Sequence, residues 1–210
     1  RASRPATYTS PISRGATRTP TRVLDLPLSM TVMTRSQLAD QAMQSMAEVV
    51  RYLPSITMGQ GEGHRDQPTT RCISSTADLY VDGVRDDAQY LRDVYNLERV
   101  EAIRGPNALA FGRGGGGGVL NRVPRQADFA THGELHVATG SFEHARSTLD
   151  LGKAIGGRSS ARLNAMTERS GSFRGIDIRR TGINPTGAIV VGCGLLHASV
   201  ERFQDRRTVD

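Results

Sequence analysis

The chain has 210 residues, 37% hydrophobic and 5% aromatic with no Trp, a formal charge of +6 and a pI near 10.0. That length admits one large domain or one domain with an appendage, and the core material is mostly Val, Leu, Ile, Ala and Met. The positive charge is almost all Arg, scattered beside acids as in Arg85-Asp86-Asp87 and Arg92-Asp93, which argues against the single basic stripe of a nucleic-acid-binding protein.

Residues 1–22 are rich in Arg, Thr, Ser and Pro, with Pro5, Pro11 and Pro20 and little apolar content, so a mobile leader with no core is expected there. Thr34-x-x-Gln37 is a capping box opening a short helix over 35–43, with Leu38, Ala39, Ala42 and Met43 on one face. A second box, Ser45-x-x-Glu48, opens another helix whose Met46, Val49, Val50 and Leu53 recur at helical spacing until Pro54 stops it. Short strands then alternate with polar loops. Ser55–Met58 runs into a charged loop over 59–67, and Asp78–Val81 ends in the Asp82-Gly83 turn. Leu97–Arg104 is closed by Gly105-Pro106, and Val119–Val123 precedes Pro124.

From about Gly133 the segments lengthen and alternate with period two, over 134–139, 144–151, 158–169 and 188–203. Alternating segments of about ten residues fit outer-membrane barrel strands, and equally any half-buried antiparallel sheet. No apolar run approaches the roughly 18 residues of a membrane helix, so a membrane could be entered only by strands. Cys72 and Cys193 are too far apart in sequence for a metal knuckle or a redox pair.

The most informative block runs from Leu97-Glu98-Arg99-Val100-Glu101-Ala102-Ile103-Arg104-Gly105-Pro106 through Phe111-Gly112-Arg113-Gly114 to Gly117-Gly118-Val119-Leu120-Asn121. It resembles the plug-domain signature of TonB-dependent outer-membrane receptors, with matching spacing throughout. The signature positions are Glu101, Arg104, Gly105, Pro106, Gly112, Gly114, Gly117, Gly118 and Asn121. Tyr80-Val81-Asp82-Gly83 resembles the plug's strand and turn, and Glu48 to Ile56 resembles its helix and exit. Two departures stand out. Ser55 occupies a position where the family usually has Gly, and Cys72 replaces the Gly of an Arg-Gly-Phe element; at Cys72 this adds a side chain where the backbone approaches closely or φ turns positive.

The resemblance implies an α+β plug domain, a small mixed β-sheet with short helices, over residues 23–130. The first antiparallel strands of a truncated 22-stranded outer-membrane β-barrel would follow over 131–210, the whole being a fragment. It implies a receptor of the Gram-negative outer membrane that takes up ferric siderophores without chemistry, energised by the TonB inner-membrane complex. Its partners would be that complex, the chelate and outer-membrane lipid, with no nucleic acid. Iron would enter only inside the chelate, and no cofactor or metal site is expected. The run Gly61 to Gln67, Arg85-Asp86-Asp87 and the five glycines point to the catecholate branch; heme, cobalamin and carbohydrate receptors share the signature. The matching loops offer Gln60, Arg65, Gln67, Arg85, Gln89 and Tyr90 as candidate ligand-binding residues, through charge-assisted donors, amides and an aromatic face. The competing reading is that these charges are solvated or pair with Asp66, Asp86 and Asp87.

Two other classes compete, a soluble β-rich binding protein and a nucleotide-binding enzyme. Gly112-x-Gly114-x-x-Gly117 satisfies the dinucleotide fingerprint formally, but that loop must open a helix, and the residues after it read as a strand. The preferred reading is a tight turn beside the barrel wall. No Gly-x-Ser-x-Gly elbow or His-Glu-x-x-His helix occurs, and His132 and His136 flank Gly133 in strand-like sequence, so no catalytic residues are expected.

Overall fold

A computed structural model of the chain describes residues 7–13, 15–17, 19–59, 61–75, 78–105, 111, 117–173 and 175–208. They form two compact units, divided between Pro124 and Arg125.

The first unit begins with a hairpin of β1 (Ile12–Ser13) and β2 (Thr21–Arg22), followed by a 3-10 turn over Val23–Asp25. Next come β3 (Ser29–Thr34), α1 (Arg35–Asp40), α2 (Met46–Val50), β4 (Ile56–Gly59) and α3 (Gly61–His64). They are followed by β5 (Gln67–Thr70), β6 (Ile73–Ser74), β7 (Leu79–Val81), β8 (Val84–Arg85), β9 (Leu97–Arg104) and β10 (Gly118–Pro124). The main sheet has the order β3-β9-β10-β7-β8, with β10 and β7 parallel and the other pairs antiparallel, so it is mixed as expected. A smaller antiparallel sheet joins β4, β5 and β6.

Both helices start where their caps place them. Thr34 Oγ accepts from the Gln37 amide at 3.5 Å and Ser45 Oγ from the Glu48 amide at 3.4 Å. Glu48 reaches back to accept from the Gln44 amide at 2.5 Å, satisfying a second orphan donor. The first helix stops at Asp40, short of the expected 43, because Ala42 enters the left-handed region at φ +49° and reverses the chain. The charged loop expected over 59–67 contains α3 and the first residue of β5, and β6 follows at Ile73–Ser74, short elements with no periodicity long enough to read.

The central strands are buried on both sides. One side packs Val100, Ala102 and Leu120 with Leu38, Met46, Val49, Val50 and Leu53 from the helical segment. The other gathers Tyr80, Ile103, Phe111 and Val119 with Ala16 and Leu26, and the Tyr80 and Phe111 rings meet edge to face at 4.7 Å. Part of the stretch read as a leader packs onto this sheet. Ile12–Ser13 pairs with Thr21–Arg22, and Ser13, Gly15 and Ala16 are buried, because side chains this small fit against the sheet without an apolar stripe of their own.

The second unit is an antiparallel meander of β11 (His132–Thr139), β12 (Ala145–Ile155), β13 (Ser159–Ser170), β14 (Ile178–Val191), β15 (Gly194–Ser199) and β16 (Arg202–Arg207). Both β15 and β16 pair with β14, at its C-terminal and N-terminal halves respectively. The expected segment 188–203 is thus divided by the Gly192-Cys193 turn, and the strand before that turn starts ten residues earlier, at Ile178. Pro185 is accommodated within that strand because it lies opposite the break between β15 and β16, where no ladder N–H is needed.

The alternation in this unit is inverted relative to a soluble sheet. Arg146, Asp150, Asn164, Glu168, Asn184 and Thr186 are buried, while Leu135, Val137, Leu151, Ile155, Ile183, Ile189 and Leu196 are exposed. Cross-strand register lines the polar residues into rows, Arg146–Glu168–Arg180 and Asp150–Asn164–Asn184. Arg162 and Arg125 both donate to Asp150 (2.7 and 2.5 Å), and Arg146 and Arg180 both donate to Glu168 (2.5 and 2.6 Å). Polar-in and apolar-out alternation on strands of 11–14 residues is the pattern of a barrel wall facing lipid.

Candidate functional site

Two loops of the first unit come together through their backbones. The Asp66 amide donates to the Tyr90 carbonyl at 3.1 Å, and the Arg92 amide returns a bond to Asp66 Oδ2 at 2.8 Å. A third link joins Arg65 Nη1 to Gln89 Oε1 at 2.7 Å. Loop 61–67, containing α3, and loop 86–92, leaving β8, are therefore held side by side.

Below them lies a dense charged cluster. The Arg92 side chain is fully buried and donates from Nε to Asp86 Oδ2 at 3.0 Å. Its other nitrogens donate to the carbonyls of Tyr90 (3.0 Å), Asp86 (2.9 Å) and Ala88 (2.7 Å). Arg122, on β10, donates to Asp86 Oδ2 and to the Tyr90 hydroxyl. That hydroxyl donates in turn to Asp86 Oδ2 at 2.8 Å, and the Arg92 guanidinium sits 4.1 Å from the Tyr90 ring centroid. Burial pushes the Tyr90 phenol above its ordinary value, against the opposing pull of Arg122.

The candidate ligand residues separate in this arrangement. Arg65, Gln89 and Tyr90 belong to the joined loops; Gln67 starts β5 and bonds Ser74 Oγ at 2.9 Å. Arg85 ends β8 and donates to the Tyr80 hydroxyl at 3.3 Å. Gln60 lies outside the described residues. The acids weighed against these residues divide as well, since Asp66 and Asp86 are engaged in the cluster. Sequence reading missed Arg92 and Arg122 as organisers. Arg92 looked like one more scattered charge in Arg92-Asp93, and the signal for it was an Arg six residues after Asp86 in a stretch with no helical or strand period.

The signature residues meet on the other side of β10. Glu101 and Asn121 are register partners, both buried, and Asn121 Nδ2 donates to Glu101 Oε2 at 2.9 Å. Glu101 Oε1 also accepts from Ser13 Oγ at 3.0 Å and from Arg99 Nε at 2.8 Å, and Asn121 Oδ1 accepts the Gly83 amide at 2.9 Å. One hydrogen bond within this buried side-chain pair and three donors around it explain why these residue types stand in facing register. Gly15 lies directly over them, where a Cβ would overlap the Glu101 carboxylate and the Asn121 amide. Arg104 donates to Ser29 and Thr31 on β3. Gly105 turns with φ +98°, its amide donating to the Gly117 carbonyl at 3.2 Å.

Gly117 is pressed against the Thr70 backbone, where a Cβ would collide with the carbonyl, and Gly118 has φ +146°. These two glycines thus serve a close approach inside the first unit. Pro106, Gly112 and Gly114 lie outside the described residues. Strand β10 follows the glycines directly, so the loop does not open the helix that a dinucleotide site requires.

Comparison with known proteins agrees with this geometry. Residues 22–119 match the model of the TonB-dependent Receptor Plug Domain. A Bordetella pertussis protein named "Probable TonB-dependent receptor BfrD" is 34% identical over 196 residues, covering 86% of this chain and 26% of that protein. The "Probable TonB-dependent siderophore receptor PiuA" of Acinetobacter baumannii is 32% identical over 170 residues, covering 78% and 23%. The crystal structure of the ferric-catecholate import receptor Fiu of Escherichia coli superposes with a TM-score of 0.85 at 26% identity, over 94% of this chain and 30% of that one. The chain spans about a quarter of the length of these two sequence relatives.

Proposed function

The chain belongs to the TonB-dependent receptor family, carrying its plug domain over residues 22–119, and from that premise we propose that it is part of an outer-membrane receptor for ferric siderophores. The observation that carries the reading is the succession of two units. A plug with the signature pair Glu101 and Asn121 in register is followed by strands that bury a polar face and expose an apolar one. An apolar outer face suits lipid contact by a barrel wall. By analogy with the family, that barrel has 22 strands, and the TonB complex draws on the plug from the periplasmic side. The receptor moves its ligand without altering it chemically, and no resident metal or cofactor takes part.

The ligand is assigned to the ferric catecholates. Relatives named for siderophores, PiuA and the "Catecholate siderophore receptor Fiu" of Escherichia coli, support this assignment. So does the presence of the Arg65 guanidinium, paired with Gln89 at the joined loops, because charge-assisted hydrogen bonds suit an anionic chelate. The test is a binding titration of the intact receptor with ferric tris-catecholate, heme and cobalamin. Only the first should bind, and combined Arg65→Ala, Arg85→Ala and Tyr90→Ala substitution should weaken it more than tenfold, about 1.4 kcal/mol. Equal affinity in the triple variant would remove these residues from recognition, and binding of heme or cobalamin in place of the catecholate would replace the ligand class.

A further inference from the structure

Arg92 uses its donors in an unusual direction. A buried guanidinium is ordinarily neutralised by carboxylates, and Arg92 does bond Asp86, but three more of its hydrogen bonds go to the backbone carbonyls of Asp86, Ala88 and Tyr90. Those carbonyls belong to one irregular stretch with no strand partner of its own among the described residues. The guanidinium therefore supplies the donors that a sheet or helix would otherwise provide, and fixes the path of residues 86–90. A lysine could not reproduce this, since its ammonium is a point donor without the planar fork.

The backbone of Arg92 binds two further segments. Its amide bonds Asp66, while its carbonyl accepts the Met46 amide at 3.2 Å, fastening the start of α2. With the Asp66 amide on the Tyr90 carbonyl, loop 61–67 and loop 86–92 exchange hydrogen bonds in both directions.

We propose that Arg92 is a positioning residue that, with Asp66, fastens loops 61–67 and 86–92 into one ligand-facing platform, so that Arg65, Gln89 and Tyr90 are presented as a unit. This rests on the assignment of these loops to ligand recognition made under the proposed function. Arg92 itself, with no exposed side-chain surface, does not touch the ligand. Its contribution is preorganisation: loops ordered before binding need not be ordered by the ligand.

The experiment uses the intact receptor and two variants, Asp66→Ala and Arg92→Lys. Backbone hydrogen exchange is read in both loops, and the dissociation constant is measured for ferric tris-catecholate. Asp66→Ala should accelerate exchange at least tenfold in residues 86–92 as well as in its own loop, and Arg92→Lys should do the same in residues 61–67. Protection in β9 and β10 should be unchanged, and both variants should bind the chelate at least tenfold more weakly. Loosening confined to the substituted loop overturns the fastening, and unchanged affinity with both loops loosened overturns the platform's part in recognition. If Arg92→Lys does not fold, Asp66→Ala leaves Arg92 its carbonyl partners and carries the test. Failure of the unsubstituted receptor to bind the chelate would instead overturn the ligand class, with the fastening still decided by exchange.

Discussion

Ser55 and Cys72 have φ of +66° and +68°, and Arg71 beside Cys72 has +49°. Arg71 and Cys72 form the two-residue turn between the paired residues Thr70 and Ile73, where tight hairpins call for positive φ at both central positions. A side chain in that region costs about 1–2 kcal/mol, against about 0.5–1 kcal/mol of chain entropy returned by a glycine. Ser55→Gly and Cys72→Gly should therefore each stabilise the first unit by roughly 0.5–1 kcal/mol, seen as a higher denaturation midpoint, whereas Cys72→Ala should give no gain. Tyr90 supplies a pH dependence. Its folded pKa is raised by burial, so the stability it confers is complete below the ordinary tyrosine value near 10 and declines as pH rises through the higher folded value. Tyr90→Phe should flatten that alkaline decline in a pH series of unfolding midpoints.

Among elements, the β1–β2 hairpin rests on small side chains. Its strands have two residues each, and its buried members are Ser13, Gly15 and Ala16, seated over Glu101 and Asn121. The main sheet by contrast is buried on both faces. Gly15→Ala should displace the hairpin, because the added methyl has to enter space held by the Glu101 carboxylate. Amides of residues 12–22 should exchange at least tenfold faster while β9 and β10 stay protected, since local opening tracks local packing. Equal exchange in the variant would mean that the hairpin does not depend on this contact. The two capped helices were readable from sequence to their first residue, because a cap is a local arrangement of three or four residues. Their ends were not, since the reversal at Ala42 has no comparable signal.

For the whole molecule, the inverted alternation of β12 to β14 is the feature with the widest consequence. Ile183 on the outer face and Asn184 on the buried face are neighbours in sequence, yet they meet opposite surroundings. In the intact receptor Ile183→Arg should impair folding into lipid bilayers by about 2–4 kcal/mol if it lies near mid-depth. Thr186→Ser, on the polar face, should leave the folded yield in the same bilayers unchanged. Loss of yield in both or in neither would contradict the assignment of faces. The chain expressed by itself should require detergent, because its exposed apolar face and the edges of its sheet invite association.

By itself, the sequence determined the family, through a block of contiguous residues whose spacing is read directly, and the barrel-like alternation, through its periodicity, while the mixed plug sheet followed only from the family resemblance. It also marked Cys72 as a misfit, because a backbone that needs positive φ leaves its trace in the residue it ordinarily uses, whereas the positive φ of Ser55 was seen only in the structure. The tertiary structure alone decided that Glu101 and Asn121 face one another and receive Ser13, and that Arg92 holds three carbonyls of its own loop. These arrangements join residues separated by up to 88 positions, and the identity of a polar side chain does not say which distant partner will satisfy it. Burial selects that partner, because a charged or amide group removed from water must be paired wherever the fold brings a complement within reach.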